Sequence, residues 1–365
     1  MPTEGWGLLV ELLIKGAIIV TLVMLSAAVF VYLERKISAR IQLRYGPNRV
    51  GPIGLLQPFA DVAKLFMKED IFPEEADAKF HAIAAIISLG VAMSVYAVIP
   101  FGTYVMLDLS WVPFFNLGTY NITLGMAPDV NIGLLFVLAM TSVGVYGLTF
   151  AGWASNSKYS LLGGLRSAAQ MISYELSMGL SLVGVLMIVG SFSLTDIVAK
   201  QSELVWFIAL QPLGFLIFLV SSFAETNRAP FDLPEAEPEL VGGFNTEYSG
   251  MRFGMFFLAE YGNMATASAM IVLIYLGGWE LFPFFSYADM GLVEGTIWMG
   301  LAQVGVFIFK VMLMGCFFIW VRWSIPRFRY DQLMNLGWKV LFQQHPMGLW
   351  SCCNDMILIF LESTL

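Results

Sequence analysis

Seven stretches of twenty or more predominantly apolar residues run through this chain, and the connections between them carry most of its charge. They cover Leu8–Leu33, Phe80–Pro100, Ile132–Gly152, Ala168–Gly190, Leu204–Phe223, Phe253–Gly278 and Thr296–Val321, with a weaker eighth within Leu333–Leu361. An α-helix needs about 20 such residues to cross the hydrocarbon of a bilayer. Only 13% of the 365 residues are charged, against about 25% in soluble domains, so lipid must be the solvent. The expected fold is all-α: one integral membrane domain over 1–365, with about eight transmembrane helices. Met1–Gly7 has no basic segment, so the first apolar stretch reads as a retained span, not a removed signal peptide.

The basic residues test the span count. Fifteen of the 19 Lys and Arg residues fall in alternate connections: residues 35–79 (among them Arg35, Lys36, Arg40, Arg44 and Arg49), then Lys158 and Arg166, Arg228 and Arg252, and Arg322, Arg327 and Arg329. The intervening connections, 101–131, 191–203 and 279–295, hold only Lys200. A miscounted span would scramble this alternation. It puts the basic connections in the cytoplasm and the N-terminus outside, on the periplasmic side of a bacterial inner membrane. In the first connection (52–70), Gln57, Asp61, Lys64 and Lys68 recur at helical spacing opposite Leu55, Phe59, Val62 and Phe66. That pattern predicts a short amphipathic helix at the cytoplasmic interface, with Pro58 tolerated in its first turn.

Ionisable groups at membrane depth cost roughly 2.5–3.5 kcal/mol each, yet Glu175, Glu260 and Lys310 lie within spans and Glu34 at the end of one. A buried carboxyl has its proton affinity raised by desolvation and lowered by a neighbouring cation, which suits a proton relay. A buried pair that only fixes helix packing fits the same residues, and Lys310 could be such a partner. Glu11 and Lys15 read as an ordinary i,i+4 pair. The acidic connection 224–252 contains Glu225, Asp232, Glu235, Glu237, Glu239 and Glu247, with Arg228 as internal counter-charge. Pro230, Pro234 and Pro238 forbid a regular helix there. Acids this close repel, so some should titrate well above about 4 as a coupled set. A solvated acidic loop is the plain alternative, but Phe231, Leu233, Leu240 and Phe244 argue for packing. Three cysteines (Cys316, Cys352, Cys353) and two histidines (His81, His345), with no CxxC pair, give no metal or cluster motif. Gly163-Gly164 and Gly242-Gly243 lack the context of a phosphate loop and read as turns.

The segments ERKISARIQLRYGPNRVGPIGLLQPFADVAKLFMKED (Glu34–Asp70), GWASNSKYSLLGGLRSAAQMISYE (Gly152–Glu175), AETNRAPFDLPEAEPELVGGFNTEYSG (Ala224–Gly250), AEYGNM (Ala259–Met264) and PRFRYDQLMNLGWK (Pro326–Lys339) resemble, in the same order, the H subunits of bacterial complex I, called subunit 1 in mitochondria. The resemblance spans about residues 8–341. It implies a membrane subunit of a proton-translocating NADH:quinone oxidoreductase, placed where the hydrophilic and membrane arms meet. It further implies that Glu34, Arg35, Gln42 and Arg44 surround a quinone cavity, with Phe59, Asp61 and Arg322 at its entrance. Glu175, Glu225, Asp232, Glu235, Glu237, Glu239, Glu247 and Glu260 would then form an acidic path toward the pumping subunits. The chain itself would bind no cofactor. Quinone is the implied substrate, and FMN and iron–sulfur clusters would reside in partner subunits. Two departures stand out. The tail 342–365 breaks the family's apolar last helix with His345-Pro346, Asn354 and Asp355, and the third span has no carboxylate. The rival readings are the equivalent subunit of a membrane-bound hydrogenase or other quinone-linked dehydrogenase, and an autonomous transporter. The second is disfavoured because no internal repeat is visible.

Overall fold

The computed structural model describes residues 6–108, 119–127, 130–235, 237–281, 287, 293 and 295–343. Helices dominate: α1 (Trp6–Ile41), α2 (Gln57–Met67), α3 (Ala78–Val95), α4 (Gly133–Ala154), α5 (Lys158–Val189), α6 (Leu194–Glu203), α7 (Phe207–Leu210), α8 (Pro212–Glu225), α9 (Glu237–Leu240), α10 (Gly250–Tyr275), α11 (Ile297–Ser324) and α12 (Tyr330–Asn335), continued by a π-helical stretch at Leu336–Leu341. Six of these (α1, α3, α4, α5, α10, α11) are long and apolar enough to span a membrane, and α8 is a shorter apolar helix. The chain is thus an all-α polytopic membrane protein. The eighth expected span, with Pro346 and Cys352–Cys353, falls largely outside the described residues.

α10 is the central post. About 78% of its most apolar window is buried, against 28% for α1, α4 and α11. It packs on α1, α3 and α11, while α3, α4, α5 and α8 follow one another round the bundle. Its small residues Ala259, Gly262, Ala265 and Ala269 permit that crowding, since close backbone approach drives helix association in lipid.

Three local departures have physical causes. The fifth span is broken: α7 ends at Leu210, and Pro212, which has no amide hydrogen, restarts the helix as α8. At 14 residues, α8 is about 21 Å long, so the polar turn at Gln211 sits inside the fold, where it is buried. Gly163 and Gly164 are not turn residues. They lie within α5, where a Cβ at Gly163 would strike the backbone of Gly243 and Phe244. The pair is small because another segment passes close by. Lys158 and Arg166 therefore sit on a helical extension of the fourth span. Finally, the connection 101–131 carries an antiparallel hairpin, β1 (Tyr104–Asp108) with β2 (Thr119–Thr123), pairing Tyr104 with Thr123.

The amphipathic segment forms the helix α2, with Pro58 in its first turn. Phe59, Phe66 and Met67 remain exposed. The acidic connection folds inward. Gln170 of α5 donates to the carbonyls of Ala224 and Phe231, and Phe231 packs between Tyr174 and Phe328.

A buried arginine–carboxylate cluster beside an acid-lined cavity

Glu34 lies two turns before the C-terminal end of α1 and is almost fully buried, at 6% exposed. A carboxylate there is tolerable only if its lone pairs are filled. Arg228 Nη1 and the Tyr261 hydroxyl donate to its Oε2 at 2.6 and 2.7 Å. Arg322 Nη1 donates to Oε1 at 2.6 Å. Arg228 comes from the acidic connection, Tyr261 from α10 and Arg322 from the last turn of α11, so three separate segments converge on one group.

Arg228 is itself 1% exposed, with its guanidinium 4.1 Å over the Tyr261 ring. Its Nε lies 2.9 Å from Glu260 Oε1. That contact is an ion pair without hydrogen-bond alignment, and Nη2 has no acceptor among the described residues. Arg228 thus faces two acids but is directed at Glu34.

Glu260 faces a cavity bounded by α3, α4, α5, α8 and α10, whose lining also includes Glu225 and Glu235. Most of the remaining lining is apolar, with Val91, Leu138, Met178 and Phe218 among it. Thr141 of α4 lies against Glu225, and Ser142 hydrogen-bonds Glu175 of α5. Asn245 donates to Glu235 at 2.6 Å, and Arg327 pairs with buried Asp232 at 2.9 Å. Burial raises the Glu235 carboxyl to about 8, aided by the charges of Glu260 and Asp232 and opposed by Arg322 and Arg228. Burial raises Asp232 to about 6 against the pull of Arg327.

The other expected site residues lie apart. Arg35 pairs with Asp61 of α2 at 2.6 Å, both partly exposed. Arg44 Nε donates to Gln42 at 2.7 Å in the exposed loop after α1, and Phe59 points outward. Glu239 forms an exposed pair with Arg166, and Glu247 is half-buried. The Glu237 and Glu11 side chains lie outside the described residues. Lys310 bonds the carbonyls of Leu276 and Glu280 and lies 4.5 Å over the Trp206 ring, so no contact joins it to Glu175 or Glu260.

Arg228, Tyr261, Arg327, Thr141 and Ser142 were not singled out as site residues by the sequence. For Arg228 a signal existed: it is the one base within a run of six acids. Tyr261 adjoins Glu260 in the AEYGNM segment. The hydroxyls of Thr141 and Ser142 carry no such mark.

Fold and site together define a class: a polytopic helical membrane protein that holds arginines and carboxylates in its interior, next to an internal cavity with acidic walls. A family model described as NADH dehydrogenase matches residues 14–350. Among curated relatives, the NADH-quinone oxidoreductase subunit 8 of Rhodothermus marinus is 49% identical over 94% of this chain and 94% of its own. The NADH-quinone oxidoreductase H subunit of Salinibacter ruber is 49% identical over 93% of both chains, and that of Ehrlichia ruminantium 47% identical over 97% of this chain and 91% of its own. The chain belongs to this family, the H subunits of NADH-quinone oxidoreductase, and is a membrane subunit of that oxidoreductase complex.

Proposed function

We propose that this chain walls the chamber in which quinone is reduced and passes the resulting charge change to a proton path. The observation that carries the reading is the position of Arg228, which touches Glu34 on one side and Glu260, at the wall of the acidic cavity, on the other. Glu34, Arg35, Gln42, Arg44 and Arg322 serve the quinone side, with Phe59 and Asp61 at the entrance. Glu260, Glu235, Glu225 and Glu175 serve the proton side, joined by Asp232, Glu237, Glu239 and Glu247. The interior contacts of Lys310 support a role in closing the end of α10, since lysines commonly cap terminal carbonyls.

Quinone takes two electrons and two protons to become quinol. The electrons come from an iron–sulfur cluster of a partner subunit, fed by flavin in another. Negative charge in the chamber competes with Glu34 for Arg322 and Arg228 and raises the proton affinity of nearby acids. Glu235, raised to about 8, holds its proton more firmly while the charge is present and releases it more readily once neutral quinol forms. The complex resides in a bacterial inner membrane, with the N-terminus of this chain outside.

The test is Arg228→Lys in the assembled complex reconstituted in vesicles. Lysine keeps the charge but cannot hold two acids in fixed geometry. Quinone turnover and coupled proton uptake should fall roughly tenfold, equivalent to about 1.4 kcal/mol. NADH oxidation by a hydrophilic artificial acceptor should stay at the wild-type rate. Unchanged coupled turnover would rule the proposal out.

A further inference from the structure

α4 contains no Asp, Glu, Lys or Arg in its 22 residues, yet acids on two other helices meet it at one place. Ser142 hydrogen-bonds Glu175 of α5, and Thr141, which lines the cavity, lies against Glu225 at the end of α8. Neighbouring residues of an α-helix point about 100° apart, so two adjacent side chains reach acids on two different helices. Glu175 and Glu225 are near enough to repel when both are ionised.

Both hydroxyls have a second acceptor, and it is the same one. Thr141 Oγ1 donates to the Leu138 carbonyl at 2.9 Å and Ser142 Oγ at 3.0 Å. A hydroxyl owns one hydrogen and two lone pairs, whereas a carboxylate only accepts and a protonated carboxyl also donates. Facing an ionised acid, each hydroxyl turns its hydrogen to the carboxylate. Facing a protonated acid, it accepts the carboxyl O–H and turns its own hydrogen to Leu138. That carbonyl oxygen has two lone pairs and takes both hydroxyls at once. Either protonation state of either acid therefore keeps a hydrogen bond in a largely apolar wall. Thr149 on the same helix is placed differently, with its hydroxyl bonded to the carbonyls of Val145 and Tyr146.

We propose that Thr141 and Ser142 are positioning residues of the proton path, a pair of hydroxyl toggles that let Glu225 and Glu175 change protonation state without losing a partner. The proposal rests on the reading of these two acids as members of that path. The pair fills the place on the third span where the sequence offers no carboxylate.

The test measures proton uptake coupled to quinone reduction in the assembled complex, reconstituted in vesicles. Ser142→Ala and Thr141→Val keep the helix but remove the toggle, and each should lower coupled uptake about fivefold, the factor that one hydrogen bond contributes. Ser142→Thr and Thr141→Ser retain a hydroxyl and should stay close to the wild-type rate. Thr149→Val should match the wild type. In a Glu175→Gln background, where residue 175 no longer titrates, Ser142→Ala should take nothing more from the residual uptake, whereas a merely structural hydroxyl would cost the same factor in both backgrounds. If Thr141→Val fails to assemble, the cycle of Ser142 with Glu175 decides alone. Wild-type uptake in Ser142→Ala and Thr141→Val, an equal loss in Thr149→Val, or an equal Ser142→Ala loss with Glu and with Gln at 175 would overturn the proposal. Wild-type uptake in both Glu175→Gln and Glu225→Gln would instead remove the proton path itself, and the toggles with it.

Discussion

The energetics of single residues turn on charge burial. Glu34 and Arg228 are both deeply buried, and removing one partner of such a pair leaves the other uncompensated at a cost of about 3–5 kcal/mol. Glu235 tests the proton side. Its carboxyl titrates at about 8 in the fold, against 4.5 as the ordinary value. Below 4.5 folded and unfolded chains both hold the proton. Between 4.5 and 8 only the folded chain does, so this group removes stability as pH rises through that window, and nothing further is lost above it. Thermal midpoints of the detergent-solubilised complex should therefore fall less from pH 5 to pH 8 in Glu235→Gln than in the wild type. Parallel curves would mean that Glu235 carries no raised proton affinity. Glu175 hydrogen-bonds Ser142, and Glu175→Gln preserves the shape while removing the titratable group. Proton uptake per quinone reduced should drop while the subunit content of the purified complex stays unchanged. Normal coupled uptake would take Glu175 out of the path.

At the scale of elements, α5 holds the site together. It donates Gln170 to the carbonyls of the acidic connection, carries Glu175, and meets that connection across Gly163. A side chain at 163 has to displace backbone near Gly243, and overpacking of this kind costs about 1–3 kcal/mol. Gly163→Val should lower the thermal midpoint and reduce quinone turnover together, because the moved segment bears Glu235 and Arg228. Gly179→Val, at a point on the same helix where a Cβ meets nothing, should do neither. The sequence made the apolar core of α5 legible but not its N-terminal extension, where Lys158 and Arg166 looked like loop residues. Helix continuation there is decided by contacts with the acidic connection, which lie some 70 residues away in the chain. The broken fifth span was likewise hidden, since Leu204–Phe223 is uniformly apolar and only the Gln211-Pro212 step betrays the interruption.

The whole molecule is a helical bundle whose described residues offer carboxylates, arginines and an acid-lined cavity, and we propose that electron transfer belongs to its partners. Purified alone, it should oxidise no NADH, and intrinsic flavin or cluster absorbance in the isolated chain would contradict that division. What the sequence determined by itself was the class: spans, amphipathic helix and alternation of basic connections follow from the cost of placing charge and unpaired backbone in hydrocarbon, a rule each segment obeys locally. It also marked out the acids that are expensive to bury. Only the tertiary structure decided which of them meet. It gathers Glu225, Glu235 and Glu260 at one cavity, sets Glu34 between two arginines, and leaves Lys310, Gln42 and Arg44 elsewhere. Such pairings depend on segments nearly two hundred residues or more apart, such as Glu34 with Arg228 and Arg322, and are fixed by the packing of helices, to which local hydropathy is blind.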